Sequence, residues 1–116
     1  MKGLINGGEP PMYPKIEIID ISGGIGVSAV ITNTGHVPAT DVDWTITVTG
    51  GILGRIDVEA TGTESSIAAG DQITVSTGIF IGLGAVAITV TAECADCPAA
   101  EDTASGTQII IFTMVS

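Results

Sequence analysis

Cys94 and Cys97 are the most reactive residues of this sequence. They stand in the order Cys94-Ala95-Asp96-Cys97, a spacing found in redox dithiols, in halves of zinc sites and in short disulfides. Redox pairs usually lie at the N-terminus of a helix, which lowers the pKa of the thiol, and no helix is predicted here. Zinc would need two further ligands, and only His36 and carboxylates are available. We therefore expect a loop-closing disulfide, with free thiols, metal binding and redox chemistry as the alternatives.

Carboxylates near the cysteine pair form a second candidate group. Glu93, Asp96, Glu101 and Asp102 fall in a segment, residues 93–106, that we expect to be a loop. Calcium takes about six to eight oxygen ligands and often meets them in turns, so these four residues are calcium candidates. Their spacing differs from that of an EF-hand loop, and a solvated acidic surface is the simpler interpretation. No other cofactor is predicted.

The composition indicates which kind of element must position these residues. The 116 residues include 18 Ile, 10 Val and 15 Thr but only 3 Leu, and β-branched side chains favour strands. Sixteen glycines and five prolines supply turns. A hydrophobic content of 45% excludes a disordered acidic tail. We therefore expect one compact all-β domain.

Strict alternation of apolar and polar residues predicts the clearest strand at residues 41–49, where Trp44 points into the core rather than towards a sugar. Further strands are predicted over residues 15–20, 25–33, 55–61, 72–80, 86–92 and 107–115. About seven short strands indicate an immunoglobulin-like antiparallel β-sandwich of two sheets. This domain is assigned to residues 15–116, and the proline-rich residues 1–14 are predicted to be an arm or linker.

Two corners of the predicted sandwich carry sequence motifs that recur in a known family of domains. Residues 27–35 read VSAVITNTG, and residues 66–75 read SIAAGDQITV. With residues 38–44 between them, they resemble the CARDB-type immunoglobulin-like domains of archaeal and bacterial cell-surface proteins, in which a V-x-N-x-G corner and an L/I-x-A-G-E/D turn recur. The resemblance implies an exported, non-catalytic spacer, adhesive or assembly module without an inter-sheet disulfide. At the corners, Asn33, Gly35 and Gly70 are expected to serve tight reversals, the first two through positive φ.

The predicted last strand has apolar side chains on both faces. Ile109, Ile111 and Val115 alternate with Ile110, Phe112 and Met114. An apolar face left open at a sheet edge promotes aggregation, so we expect it to be covered by the N-terminal arm, by a neighbouring domain or by a second copy. The residues predicted to form this assembly interface are Met12, Tyr13, Ile110, Phe112 and Met114.

The charge balance limits the classes of partner. Thirteen acidic and three basic residues give a formal net charge of −10, which disfavours binding to nucleic acids and to anionic membranes. No apolar run is long enough to span a membrane, and residues 1–8 do not resemble a signal peptide. The chain is therefore expected to be either cytoplasmic or a segment whose export signal has been removed, and the few lysines, abundant Thr and Gly and acidic balance favour the second. We expect an extracellular, non-enzymatic structural module, a subunit or repeat of a filament, stalk or coat that contacts itself or neighbouring surface domains. The alternative is an accessory domain that binds carbohydrate or calcium.

Overall fold

The computed structural model describes residues 13–115. A short 3-10 turn, Ile52–Gly54, is the one helical element among these residues. The strands are β1 (Ile16–Ser22), β2 (Gly24–Ile25), β3 (Ser28–Asn33), β4 (Ala39–Gly50), β5 (Ile56–Ile67), β6 (Gln72–Ser76), β7 (Gly82–Cys94), β8 (Cys97–Ile110) and β9 (Phe112–Val115).

The strands form two antiparallel sheets that pack face to face. The smaller sheet has the order β1-β3-β6, and the larger has the order β2-β9-β8-β7-β4-β5. The chain passes between the sheets several times, as in immunoglobulin-like sandwiches. The predicted all-β sandwich is confirmed, with nine strands among the described residues instead of about seven.

Two predicted strands are in fact pairs of strands. Residues 25–33 are divided at Gly26, which has φ +81 and a Cβ position that would collide with the backbone of Gly78. Residues 107–115 are divided by a turn at residues 110–111, because Ile109 pairs directly with Phe112. The prediction of a single last strand with two apolar faces was therefore wrong, since the two halves of this segment are antiparallel strands of the same sheet.

The predicted loop over residues 93–106 was also wrong. These residues include most of β8, which pairs with β7 from Ala92 opposite Ala100 to Gly82 opposite Ile110. Several core-facing positions of β8 hold small residues, such as Ala104. The core-facing and outward positions therefore differ little in hydrophobicity, and the alternation that marks a strand is weak. The second half of β5 was missed because its core-side positions hold Gly62 and Glu64, which break the apolar alternation.

The core lies between the sheets. Trp44 is half-buried on the core side of β4, as its alternation predicted, and its indole ring packs over Gly62, where a Cβ would lie 2.6 Å from Cζ2 of the ring. Ile79, expected to face inward, is exposed instead because β6 ends at Ser76. The buried apolar residues are Ile16, Val27, Ala29, Ile31, Ala39, Val42, Ile46, Val48, Ile56, Ile67, Val75, Val86, Ile88, Val90 and Ala92.

Candidate functional site

Cys94 and Cys97 form a disulfide across the tight turn that joins β7 to β8. Their Cα atoms are 5.3 Å apart, and both side chains pack against the core. The turn is attached to the neighbouring strand by the Ala95 N–H, which donates to the carbonyl oxygen of Thr40 over 3.2 Å. The expected disulfide is confirmed, and its role is to close one end of the sandwich, which we call the disulfide end.

The four calcium candidates do not converge. Glu101 and Asp102 are consecutive residues of β8, so their side chains lie on opposite faces of the sheet. Glu93 and Asp96 lie at the end of β7 and in the turn. Within residues 13–115, no group of three or more His, Cys, Asp or Glu side chains is placed to hold a metal ion.

A small hollow on the outer face does bring two carboxylates together. Asp43 and Glu93 are directly opposite each other on β4 and β7, and they line a space of about 160 Å³ with Thr45 and Thr91. Asp43 Oδ1 also accepts a hydrogen bond of 2.6 Å from the Thr63 hydroxyl. Two carboxylates supply far fewer oxygens than calcium requires, so the hollow has an incomplete ligand set.

Asn33 joins the two sheets at the disulfide end. Its side chain is fully buried. Its Oδ1 accepts hydrogen bonds from the N–H groups of Lys15 (3.3 Å) and Gly35 (2.9 Å). Its Nδ2 donates to the carbonyl oxygens of Val37 (2.8 Å) and Ile67 (3.0 Å). The amide thus satisfies four backbone groups from the N-terminal segment, the corner and β5.

The conformational reason predicted for this corner was wrong in part. Neither Asn33 nor Gly35 has positive φ, whereas Gly70 does, at +82. Gly35 is required for a different reason: a Cβ there would lie 2.5 Å from the carbonyl oxygen of Tyr13 and 2.6 Å from the nitrogen of Lys15. The corner therefore depends on a buried amide and on a close approach of two backbone segments.

The opposite end of the sandwich exposes apolar side chains. Leu83, Ile109, Phe112 and Ile25 lie side by side on the outer face of β7, β8, β9 and β2, because each pairs with the next. Twelve large apolar side chains are exposed in the described part of the chain, and ten belong to this end. These ten, which we call the apolar end, are Ile25, Ile52, Leu53, Ile79, Ile81, Leu83, Ile109, Ile110, Phe112 and Met114.

A groove of about 550 Å³ opens within the apolar end. Its lining includes Ile52, Leu53, Arg55, Ile81, Leu83 and Ile110. Arg55 is the one charged residue in this lining, and its side chain is exposed. The groove therefore suits an apolar ligand that carries a negative charge near one edge.

Two residues of the groove have an unfavourable backbone conformation. Leu53 has φ +61 and Ile110 has φ +57, in the left-handed region, where an L-residue pays about 1–2 kcal/mol. Glycine or asparagine normally occupies such positions, and a β-branched residue there is an outlier. Residues in sparsely populated conformations cluster at functional sites. The third non-glycine residue with positive φ in the described part of the chain is Asp41, at φ +52 near the disulfide turn, but aspartate tolerates this region far better than leucine or isoleucine.

Gln108 holds the strained turn in place. Its fully buried side chain donates from Nε2 to the carbonyl oxygens of Ile110 (2.9 Å) and Phe80 (3.2 Å). Its Oε1 accepts a hydrogen bond from the hydroxyl of Thr113. Gln108 therefore links the β8–β9 hairpin to the loop before β7, although nothing in the sequence pattern distinguished it from a solvated polar residue.

The predicted interface residues fall into two groups. Ile110, Phe112 and Met114 all lie at the apolar end, whereas Tyr13 is exposed at the disulfide end beside Gly35. Met12 lies outside the described residues. The remaining seven members of the apolar end were missed, because most are isolated apolar residues beside turn glycines, a position that normally indicates a loop.

No family model, curated protein or solved structure matches this chain. The CARDB-type resemblance therefore stays a prediction. Within residues 13–115, none of the helical structure has the length and apolar character needed to cross a membrane.

Proposed function

We propose that this chain is a non-enzymatic, extracellular structural module, a subunit or repeat of a surface assembly, that associates through its apolar end. The observation that carries the proposal is the concentration of ten exposed apolar side chains at one end of the sandwich. Scattered apolar residues are normal on protein surfaces, but a continuous patch marks an interaction site.

The size of the apolar end supports association with a protein. Its ten residues are each between 45% and 84% exposed, and four of them, Leu83, Ile109, Phe112 and Ile25, lie side by side across four strands. Each partner in a standard protein interface contributes about 800 Å². A row of adjacent exposed apolar residues beside an apolar groove is the kind of surface from which such an interface is built.

Charge and redox chemistry support the rest of the proposal. A net charge of −10 keeps the sides of neighbouring copies apart and directs contact to an end that is nearly free of charge. The disulfide is typical of oxidising compartments, including the cell exterior. Both features suit a module that works outside the cell.

Light scattering over about 10 μM to 1 mM tests the proposal, a range that detects even millimolar affinity. The mass of the intact chain should rise with concentration, whereas a Leu83→Thr/Phe112→Thr double variant should stay monomeric. These threonines replace outward-facing side chains of strands and keep a high strand propensity. The matched control is Ile19→Thr, which removes an exposed isoleucine from β1, away from the apolar end.

A wild-type chain that remains monomeric at the highest concentration would overturn self-association. Equal loss of association in the Ile19→Thr control would show that general hydrophobicity, not the apolar end, is responsible. Calorimetric titration of the monomer with calcium and with oligosaccharides tests the alternative function, since a saturable heat would identify a ligand-binding domain.

A further inference from the structure

We infer that the groove of the apolar end receives residues 4–12 of a second copy, so that copies associate head to tail. This inference rests on the proposed function and names the partner segment. The segment offers Leu4, Ile5 and Met12 as apolar side chains. The groove presents Ile52, Leu53, Ile81 and Ile110 to receive them.

The N-terminal segment leaves the sandwich at the disulfide end. The backbone of Tyr13 lies against Gly35, next to the Asn33 side chain that holds the carbonyl of Ile67. Ile67 pairs with Ala39, the first residue of β4. The segment and the groove are therefore separated by the length of β4.

The segment cannot reach the groove of its own copy. β4 has 12 residues, from Ala39 to Gly50, which at about 3.4 Å per residue span roughly 37 Å. Gly82 and its partner Ile110, which line the groove, lie four residues along β7 beyond Val86, the partner of Gly50, and this adds roughly 13 Å. Leu4 precedes Tyr13 by nine residues, so even a fully extended chain carries it at most about 32 Å. Ile5 and Met12 are closer to Tyr13 and reach less far. Contact between the segment and a groove therefore requires a second copy, whatever precedes residue 1.

The charges of the two surfaces are complementary. Arg55 is the one charged residue lining the groove in the described part of the chain. Glu9 is the only acidic residue in residues 1–12. A neighbouring copy would thus bring one carboxylate to one guanidinium, and it would avoid the like-charge repulsion that the acidic sides of the sandwich impose.

The location of the two surfaces determines the kind of assembly. A donor segment at one end and an acceptor groove at the other make a heterologous contact, which propagates into an open chain unless a rotation closes it. Extended segments that complete a neighbouring domain are an established mode of association. Pairing of two apolar ends would instead stop at a dimer.

Complementation between two full-length variants tests the inference. The acceptor variant, Leu53→Asn/Ile110→Asn, keeps its own donor segment and places asparagine at two positive-φ positions that asparagine tolerates. The donor variant, Leu4→Ser/Ile5→Ser/Met12→Ser, keeps its groove. Each variant alone should be monomeric by light scattering, with an affinity at least about tenfold weaker than wild type. An equimolar mixture should form a complex of one copy of each.

The outcomes separate this inference from the proposed function. If the donor variant still associates as strongly as the wild type, the segment is not the ligand, and association through the apolar end stands without it. If the wild type itself is monomeric, both ideas fail. A mixture of two variants that contains only monomers also overturns the inference, provided that the Trp44 fluorescence of both variants is native. Leu53→Gly/Ile110→Gly replaces the acceptor variant if the asparagine version fails to fold.

A charge exchange gives a second, independent readout. Arg55→Glu should weaken association about two- to fivefold, the range expected for an exposed ion pair, and Glu9→Arg in the same chain should restore it. Because both positions are solvent-exposed or outside the described fold, neither change should alter the unfolding transition. Failure of the second change to restore affinity would refute the pairing of Glu9 with Arg55.

Discussion

The disulfide end and the apolar end of the sandwich are held together by different interactions. At the disulfide end, Asn33 satisfies four backbone groups, and a covalent bond closes the turn between β7 and β8. At the apolar end, Gln108 makes three hydrogen bonds that hold a turn with Ile110 in a left-handed conformation. The disulfide end also has one non-glycine residue with positive φ, Asp41 at +52, but aspartate tolerates this conformation. The apolar end places a leucine and an isoleucine in it and exposes hydrophobic surface.

This contrast indicates which end is optimised for the isolated domain. Buried polar groups whose hydrogen bonds are all made stabilise a unique fold, and the disulfide end has this property. The apolar end instead keeps leucine and isoleucine where glycine or asparagine would be more stable, and it exposes them to water. Stability is commonly sacrificed in this manner at functional sites, and this supports the association proposed for the apolar end.

The largest effect is expected at the disulfide end. Asn33→Ala should lower the free energy of unfolding by about 3–5 kcal/mol, because four backbone groups would lose a partner in a buried place. Urea denaturation should show a lower midpoint with an unchanged m-value. The control is Thr34→Ala, its exposed neighbour, which loses only solvent-exposed hydrogen bonds to Glu17 and Lys15 and should change stability by less than about 1 kcal/mol. Equal effects of the two changes would refute the role of the buried amide.

Gln108→Ala is the matching change at the apolar end. It should lower the free energy of unfolding by about 2–3 kcal/mol, since three hydrogen bonds are lost and Thr113 is left without its buried acceptor. The same urea experiment measures it. A larger effect than that of Asn33→Ala would reverse the proposed contrast between the two ends.

The disulfide contributes a smaller amount. The closed loop contains four residues, for which the chain-entropy model gives about 2 kcal/mol. Cys94→Ser/Cys97→Ser should therefore lower the unfolding free energy by about that amount, and a reducing agent should affect only the wild type. Because the two cysteines lie far along β7 and β8 from the groove, association of the folded variant should be unchanged. A weakened association would show that the disulfide end, where the N-terminal segment leaves the sandwich, also contributes to the contact.

Strong alternation allowed the fold class to be predicted from the sequence. Residues 41–49 alternate large apolar side chains with Asp and Thr, and the strand is present as predicted. β8 was missed because several of its core-facing positions hold small residues, such as Ala100, Ala104 and Gly106. Hydrophobic periodicity detects large side chains, so strands that contribute small ones escape it.

The candidate site was predicted only in part, for a topological reason. Ile110, Phe112 and Met114 were recognised because they fall in one apolar run. Leu83 and Ile25 become their neighbours only through pairing between strands distant in sequence. Likewise, the strain at Ile110 results from a turn inside that run, at residues without the usual turn signature of glycine or asparagine.

The smallest expected effect has the opposite sign and tests the strain directly. Leu53→Gly should raise the free energy of unfolding by about 0.5–1 kcal/mol, because glycine adopts a φ of +61 without strain, although its greater freedom in the unfolded chain offsets part of the gain. Urea denaturation of the monomer at low concentration measures the change without a contribution from association. Leu83→Gly is the control: it removes a leucine of the same groove from a residue without positive φ inside β7, so it should be destabilising. If both glycines destabilise the domain, the conformation of Leu53 carries no strain, and the contrast between a satisfied end and a strained end would then depend on Ile110 alone.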